Sequence, residues 1–429
     1  MREPLSPVDA AWLHMEEPVN PMTVSAVLWF DPAPDWEGIV TRFEERVVRR
    51  YPRFRQRIVD APRARGGPAW EEDPTFQLAH HVHHVALPAP HDEAALQRFV
   101  GDRVSTLLDL RFAPWSLDLV DGFGAGAAIV VRIHHAVADG LALARVLLDL
   151  ADEPLVDPVR TQRAPEEAHL DLVHRGPAAL AALRKLLLSP ADPPTGLKGP
   201  LGAVKRVAWS APLSLDAIKA QGRASGATVN DVLVAAVAGA VRSWLLAHGD
   251  AAREVRAFIP VDLRGGARPD HHLGNRFGLV YLTLPVTEPD PAARVRRVEE
   301  RMAAIKHTPE AAVAFGVLAT LGVAPGPVEH ALIDVFGAKG TLVLTNVRGP
   351  DAPIHIAGHR VEGLMFWVPQ SGHLGVGVSL FSYAGHVYVG VATDAGLVPD
   401  PGALVRRIEG ELAAGAASLG QRDGPHAVE

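Results

Sequence analysis

The stretch from Ala127 to Leu150 places two adjacent histidines and an acidic turn between an apolar segment and a helical one. Residues 127–133 are apolar except for Arg132, which predicts a short strand buried on both faces. Residues 141–150 are rich in leucine and alanine and predict a helix. The polar residues from His134 to Gly140 therefore fall where a strand gives way to a helix.

The two histidines of this turn cannot serve one site together. Successive side chains of a strand point to opposite faces, so His134 and His135 are expected to face apart. A neutral imidazole can take the proton of an attacking hydroxyl, because its reference pKa of about 6.5 lies close to working pH. One histidine is therefore a candidate base, and the other is expected to be held by local hydrogen bonds. From the pattern alone, a pair of hydrogen-bonded core histidines remains the alternative.

The same turn resembles the HHxxxDG motif of acyltransferases related to chloramphenicol acetyltransferase and to peptide-synthetase condensation domains. The resemblance implies an α/β fold with two chloramphenicol-acetyltransferase-like domains. Each would be a mixed β-sheet flanked by helices, with the active site in a tunnel at their interface. It also implies that His135 is the general base, that Asp139 makes a structural ion pair with an arginine, and that Gly140 lets the substrate approach.

A narrower resemblance begins at the N-terminus. The segment PLSPVD at residues 4–9, followed by Asn20-Pro21-Met22 ahead of the first predicted strand, resembles the bacterial wax ester synthase/diacylglycerol acyltransferase family. That family usually has His and Gly at the positions of Thr23 and Ser25. These two departures concern substrate preference rather than the fold.

Two segments of the second half extend this resemblance. The family carries an Asn-Asp pair at the positions of Asn230 and Asp231, and residues 345–350, TNVRGP, resemble a family segment that usually has Pro at Arg348. Thr228 and Asp231 are expected to cap a helix, which accounts for Asp231. Asn230 is the less explained member of the pair, and its amide is a candidate to orient the substrate or to support an oxyanion.

Composition excludes several classes of protein. The 429 residues contain no cysteine, which excludes disulfides, thiolate metal sites and a cysteine nucleophile. A formal net charge of −7 gives no broad basic surface for nucleic acid. The N-terminus lacks an apolar signal-peptide core, so a cytoplasmic protein is expected. The histidines at 80, 81, 83 and 84 lack a metal-ligand spacing and predict a surface strand without a metal.

The chain is expected to divide into an N-terminal domain at 1–150, a crossover linker at 151–206 and a C-terminal domain at 207–429. Within the linker, residues 172–188 combine His174, Arg175, Arg184 and Lys185 with many leucines and alanines. Such a segment either lies on a membrane or lipid-droplet surface or packs on the protein itself. The basic residues at 51–57 either meet the phosphates of CoA or form a solvated face.

The resemblance implies direct O-acyl transfer from acyl-CoA, as co-substrate, to a long-chain alcohol or diacylglycerol, without a cofactor. Peripheral attachment to the inner membrane or to lipid droplets is compatible with this expectation. Two alternatives stay open. One is a condensation-type enzyme that takes its acyl group from a carrier protein, and the other is a non-catalytic protein that binds lipid droplets.

Overall fold

The computed structural model of the protein describes residues 2–59, 67–153, 176–264, 273–306, 308–370 and 374–422. Two mixed β-sheets organise these residues, and each sheet has its own apolar core. This arrangement is the predicted one, with helices on the faces of both sheets.

The first sheet contains five strands in the order β15-β2-β7-β6-β5. Their bounds are β2 Thr23–Phe30, β5 Val82–Ala86, β6 Trp115–Phe123, β7 Gly126–His134 and β15 Gly363–Trp367. All pairs are antiparallel except β5 with β6. Every residue of β7 is buried, as the apolar run predicts, and the strand is central in the sheet, with β2 on one edge and β6 on the other.

The second sheet follows the order β11-β10-β12-β16-β17-β8, with the short strand β9 paired to β17. Its strands are β8 Lys205–Trp209, β9 Leu213–Ser214, β10 Val255–Asp262, β11 Phe277–Leu284, β12 Leu342–Arg348, β16 Val376–Tyr383 and β17 His386–Asp394. The strands β10, β12 and β16 run parallel to one another, and the other pairs are antiparallel. Strands β16 and β17 form a hairpin that turns at Ala384-Gly385.

Eleven α-helices lie among the described residues. They are α1 Pro7–His14, α2 Trp36–Phe43, α3 Glu93–Val104, α4 Gly140–Leu148, α5 Gly176–Leu188, α6 Leu215–Ser225, α7 Val229–Ala247, α8 Pro291–Lys306, α9 Glu310–Leu321, α10 Gly326–Gly337 and α11 Pro401–Arg422. A π-helical turn at Glu44–Val48 continues α2. The small strands are β1 Arg2–Pro4, β3 Gln56–Val59 and β4 Ala69–Glu72 in one sheet, and β13 His355–Ile356 and β14 His359–Arg360 in another.

Helix α7 begins with the predicted capping box. The Thr228 hydroxyl accepts from the backbone N–H of Asp231, and the Asp231 carboxylate accepts from the backbone N–H of Thr228. Among the residues described, α7 alone is long and apolar enough to cross a membrane, but 72% of its apolar window is buried in the fold. Contacts with α6, α8 and α11 account for that burial.

One strand departs from the predicted division of the chain. β15 belongs by sequence to the segment 207–429, yet it pairs with β2 of the first sheet, where Trp367 lies opposite Ser25. It covers backbone groups of β2 that would otherwise form an open edge. The C-terminal half therefore contributes one strand to the first sheet, and this strand joins the two halves in addition to the linker. Of the predicted linker helix, residues 176–188 are helical, and 172–175, with His174 and Arg175, lie outside the described residues.

Two expectations for the first half need correction. His81 is not a surface residue: it is buried, its Nδ1 lies 3.0 Å from the carbonyl oxygen of Trp115, and its ring stacks on that indole. The arginines of the 51–57 run face neighbouring glutamates, so they are ion-paired rather than free, and Arg53 among them is buried. Arg53 pairs with Glu3 and Arg55 with Glu72.

Candidate active site

A cavity open to solvent lies between the two sheets. The first domain contributes the end of β7, the start of α4 and the end of β15, and the second contributes β10, β11 and β12. Its lining is mostly apolar, with a polar group at one end that contains His135, Asp139, Asp262, Arg264, Thr345 and Asn346. The HHxxxDG turn therefore opens into a mostly apolar cavity, as lipid-binding sites do.

Backbone hydrogen bonds and a stacking contact of the ring hold His135 in place at this cavity. Its N–H donates to the carbonyl of Met22 at 2.7 Å, and its carbonyl accepts from Nδ2 of Asn275 at 2.8 Å. Its ring stacks on Trp12, with centroids 4.0 Å apart and planes 17° apart. Nδ1 is buried and has no hydrogen-bond partner within ordinary distances in the described ranges, and the residue lines the cavity.

Burial lowers the pKa of His135 to about 4, and the nearby negative charge of Asp139 opposes this shift. The imidazole is therefore neutral near pH 7 and able to accept a proton. Because the unfolded chain would protonate this histidine near pH 6.5, its contribution to stability is present above that pH and is lost as pH falls towards 4.

We expect kcat/KM to be nearly constant from about pH 8 to about pH 5 and to fall only near pH 4, because protonation of His135 would remove the candidate base. Initial rates across this range, with circular dichroism at each pH to confirm folding, would check the expectation. An acid limb centred near pH 6.5 in folded protein would contradict it.

His134 is held by local contacts, as predicted for one member of the pair. Its Nδ1 accepts from the backbone N–H of Ala136 at 3.0 Å, so Nε2 carries the ring proton. That Nε2 lies 3.4 Å from the carboxylate of Glu16, which also accepts from the N–H of Met22. The histidine is fully buried and ties the turn to the segment after α1.

Asp139 forms the predicted ion pair, and its partner is Arg264 at the end of β10. Both carboxylate oxygens accept from the guanidinium, and Oδ2 also accepts from the backbone N–H of Arg276 at 3.0 Å. Oδ1 caps α4 by accepting from the N–H of Ala142 at 2.9 Å. Asp139 thus fixes the turn to the second sheet, which fits an anchor rather than a member of a proton relay.

The aspartate of the PLSPVD segment has a role that the sequence did not reveal. Asp9 on α1 accepts from both the backbone N–H and Nδ2 of Asn275, at 3.1 and 2.7 Å, and the same Nδ2 holds the carbonyl of His135. Burial raises the pKa of Asp9, while the hydrogen bonds from Asn275 and Ser6 lower it. Helix α1 therefore supports His135 in two ways. Asp9 binds Asn275, which in turn binds the carbonyl of His135, and Trp12 stacks on the imidazole ring.

Asn230 does not line the cavity but accepts a hydrogen bond from a residue that does. Its Oδ1 accepts from Nδ2 of Asn346 at 2.8 Å, and Asn346 is the member of the pair that lines the cavity. The TNVRGP segment that contains Asn346 was recognised in the sequence without a role for this residue. Its contact with Asn230 joins residues 116 positions apart, which no local pattern could show.

Gly140 is the first residue of α4 and lines the cavity beside His135. A Cβ at this position would lie 3.4 Å from Cγ1 of Val368, so packing leaves room for one, and it would project towards the cavity. That a glycine at this position allows a substrate to approach stays a prediction.

Known proteins match this chain over most of its length. The family model described as the wax ester synthase/diacylglycerol acyltransferase catalytic domain matches residues 5–184, and the WS/DGAT C-terminal domain matches residues 273–414. A probable diacylglycerol O-acyltransferase of Mycobacterium tuberculosis H37Rv is 29% identical, covering 89% of this chain and 88% of the relative. The O-acyltransferase WSD of Acinetobacter baylyi is 24% identical, covering 95% and 96%.

Solved structures confirm the fold. A wax ester synthase/diacylglycerol acyltransferase from Marinobacter aquaeolei VT8 matches with a TM-score of 0.74 and 23% identity, covering 97% of this chain and all of that one. The first condensation domain of the calcium-dependent antibiotic synthetase matches with a TM-score of 0.67 and 19% identity, covering 97% of each chain. With both family models and these relatives in agreement, the chain belongs to the wax ester synthase/diacylglycerol acyltransferase family and is an acyltransferase.

Proposed function

We propose that this acyltransferase moves a fatty acyl group from acyl-CoA to the hydroxyl of a long-chain alcohol or a diacylglycerol, with His135 as general base. One observation carries the proposal: a neutral, clamped imidazole faces an apolar cavity between two domains. An apolar cavity suits hydrocarbon chains, and a neutral imidazole suits a hydroxyl nucleophile. The relatives named as diacylglycerol O-acyltransferases support the choice of acceptor.

The reaction requires one proton carrier and no covalent enzyme intermediate. Nε2 of His135 takes the hydroxyl proton as the oxygen attacks the thioester carbonyl carbon. The tetrahedral oxyanion then collapses, the carbon–sulfur bond breaks, and the leaving CoA thiolate takes the proton from His135. The products are the ester and free CoA, and His135 returns to its neutral form. The absence of cysteine and of a G-x-S-x-G elbow favours this direct transfer.

We propose that Asn346 donates to the oxyanion and that Asn230 acts through it. An asparagine amide has two N–H donors, and Asn346 gives one of them to Oδ1 of Asn230 at 2.8 Å. That bond fixes the plane of the amide and leaves the second N–H for an oxygen in the cavity. In this proposal Asn230 is a positioning residue.

Asn346→Ala is expected to lower kcat about 10²–10³-fold, the typical cost of one oxyanion donor. Asn230→Ala should cost less, because the donor remains but is less well oriented. The double variant should be no worse than Asn346→Ala alone, since both residues act through one hydrogen bond. Steady-state kcat for all four proteins checks this cycle. Additive losses, or a normal kcat for Asn346→Ala, would rule out the shared role.

The chain's lack of cysteine makes a direct test of the reaction simple. Palmitoyl-CoA and a thiol-reactive dye would report CoA release without background from protein thiols. Hexadecanol, a diacylglycerol and no acceptor would be compared. Release that requires an acceptor supports the proposal and ranks the two acceptors. Release without an acceptor would indicate a thioesterase, and no release with either acceptor would favour a carrier-bound acyl donor.

A further inference from the structure

A second cavity adjoins the first and continues it away from His135. The two share four lining residues, namely Trp12, Phe258, Phe277 and Leu279. Trp12 stacks on His135, and the ring centroid of Phe277 lies 5.7 Å from that of the imidazole. Most other walls of the second cavity are apolar residues of α5, α9 and α10. A hydrocarbon chain that begins at His135 can therefore continue into an apolar chamber.

Strand β11 contributes a hydroxyl group to this chamber. Side chains of a strand alternate between its faces, so Phe277, Leu279 and Tyr281 share one face, and all three line the second cavity. Tyr281 is only 6% exposed, and its hydroxyl has no hydrogen-bond partner in the part of the chain that the structure describes. Burial raises the pKa of Tyr281 above its ordinary value, so the hydroxyl keeps its proton near pH 7. Tyr281 therefore offers an unused hydrogen-bond donor within the chamber.

Helix α9 contributes an acceptor. Glu310 begins this helix and lies one turn before Ala314, on the helix face from which Ala314, Val317 and Leu321 line the second cavity. The Glu310 side chain is buried, and its Oε1 accepts from Nζ of Lys185 at 2.5 Å. Its Oε2 is also buried and has no hydrogen-bond partner among the described residues. A buried carboxylate oxygen without a donor is costly, so this oxygen has an unused capacity to accept.

A close contact between α9 and β11 brings these two groups to the same end of the chamber. A Cβ atom at Gly278 would lie 1.8 Å from the carbonyl oxygen of Ala311, so the start of the helix packs directly against the strand. Ala311 follows Glu310, and Gly278 lies three positions before Tyr281. After burial, the negative charge of Glu310 is among the causes that raise the pKa of Tyr281, which agrees with their proximity. A donor and an acceptor therefore lie near each other, and the described residues satisfy neither.

The position of Tyr281 along β11 sets the length of chain that would reach it. Phe277 lies beside His135, and four residue steps of the strand separate Phe277 from Tyr281, a span of about 13 Å. An extended covalent chain covers such a span in roughly ten to twelve bonds. A chain of about a dozen carbons that starts at His135 would therefore place its far end at Tyr281.

We propose that Tyr281 and Glu310 form a polar subsite that binds a second hydroxyl, carried at the far end of the acceptor's hydrocarbon chain. This hydroxyl would accept from the Tyr281 O–H and donate to Oε2 of Glu310, so all three groups would be paired. The inference rests on the proposed function and names a narrower acceptor class, long-chain alcohols with a distal hydroxyl such as α,ω-diols.

The test compares dodecanol with the α,ω-diol of the same length, each with palmitoyl-CoA. The measured quantity is kcat/KM for the diol divided by kcat/KM for dodecanol. Tyr281→Phe removes the proposed donor. Tyr383→Phe is the matched control, because Tyr383 is also buried but donates to the carbonyl of Val361 at 2.7 Å and lines neither cavity. Thermal melting would be recorded for each protein.

We expect the wild-type ratio to lie near one, because the distal hydroxyl finds a donor and an acceptor. Tyr281→Phe should lower the ratio about tenfold, since the hydroxyl then loses its donor inside an apolar chamber. Tyr383→Phe should leave the ratio unchanged. The melting temperatures should show the opposite order: Tyr281→Phe melts at or above wild type because it breaks no hydrogen bond within the protein, and Tyr383→Phe melts lower because it breaks one.

The monomethyl ether of the diol tests the part played by Glu310. Its distal oxygen can accept from Tyr281 but cannot donate, so we expect its kcat/KM to fall about tenfold below that of the diol. Dodecanoyl-CoA and its ω-hydroxy derivative, with hexanol as the acceptor, would show whether the acyl chain reaches the subsite instead of the alcohol chain.

Three results would overturn the subsite. They are a wild-type ratio of about a tenth or less for both pairs of substrates, a ratio that Tyr281→Phe leaves unchanged, and an equal fall of the ratio in Tyr383→Phe. The first would mean that the two polar groups bind water only, and an ether as good as the diol would remove Glu310 from the subsite. Dodecanol separates the two proposals. If the wild type uses dodecanol but rejects the hydroxylated substrates, the subsite fails and acyl transfer stands; if no acceptor gives CoA release, the proposed function fails.

Discussion

Replacing His135 with alanine is expected to lower kcat for acyl transfer by about 10²–10⁴-fold, the range that a positioned general base contributes. The variant removes the ring nitrogen that faces the cavity, while the backbone contacts to Met22 and Asn275 can persist. Substrate binding should change little, because the cavity walls are otherwise intact. Single-turnover rates with palmitoyl-CoA and hexadecanol would measure the loss directly.

His81 supplies the matched control for this experiment. It too is a buried histidine stacked on a tryptophan, with its ring 4.4 Å from that of Trp115, but it lies in the first domain away from the cavity. His81→Ala should therefore lower stability without lowering kcat of the folded protein. Equal losses of kcat in the two variants would show that His135 acts only through the fold.

Replacing Asp139 with alanine is expected to lower the free energy of unfolding by about 3–5 kcal/mol, because it leaves the buried Arg264 guanidinium without its main partner. The substitution also removes the N-cap of α4 and the acceptor for the backbone N–H of Arg276. Both losses act on the turn that presents His135, so kcat should fall as well. Urea unfolding midpoints and kcat would be measured on the same preparations.

The variant Asp394→Ala is a control that separates the loss of stability from the loss of kcat. Asp394 forms a buried ion pair with Lys205, at 2.8 Å, outside the cavity lining. Its loss should destabilise the protein by a comparable amount while leaving kcat of the folded fraction near wild type. If Asp139→Ala unfolds at the wild-type urea concentration, or if Asp394→Ala loses kcat to the same extent, the anchoring role of Asp139 is wrong.

The candidate site residues with local signals were predictable from sequence, and those that depend on distant partners were not. His134, His135, Asp139 and Gly140 occur in one turn with a recognisable spacing, and their placement between β7 and α4 agrees with the structure. The sequence predicted that an arginine pairs with Asp139, but it did not indicate that this arginine is Arg264. The two residues lie 125 positions apart, and no local pattern distinguishes an arginine in a buried ion pair from one at the surface.

The contacts that hold His135 in place could likewise not be predicted from the sequence. Asp9 was visible as part of the PLSPVD resemblance, but its contact with Asn275 spans 266 positions. Nothing in the sequence around Trp12 indicates that this residue stacks on His135. Asn230 was singled out, whereas its cavity-lining partner Asn346 was not.

The family resemblance of the HHxxxDG and PLSPVD segments implied the fold class. The sequence by itself determined the strand–turn–helix around the HHxxxDG motif and the capped start of α7. These features depend on hydrophobic periodicity and on hydrogen bonds between residues a few positions apart. Only the tertiary structure decided which arginine neutralises Asp139, which helix holds His135, and which sheet receives β15. The reason is physical: burial, ion pairing and strand pairing join residues that are far apart in the chain, so their energies appear only once the two sheets have come together.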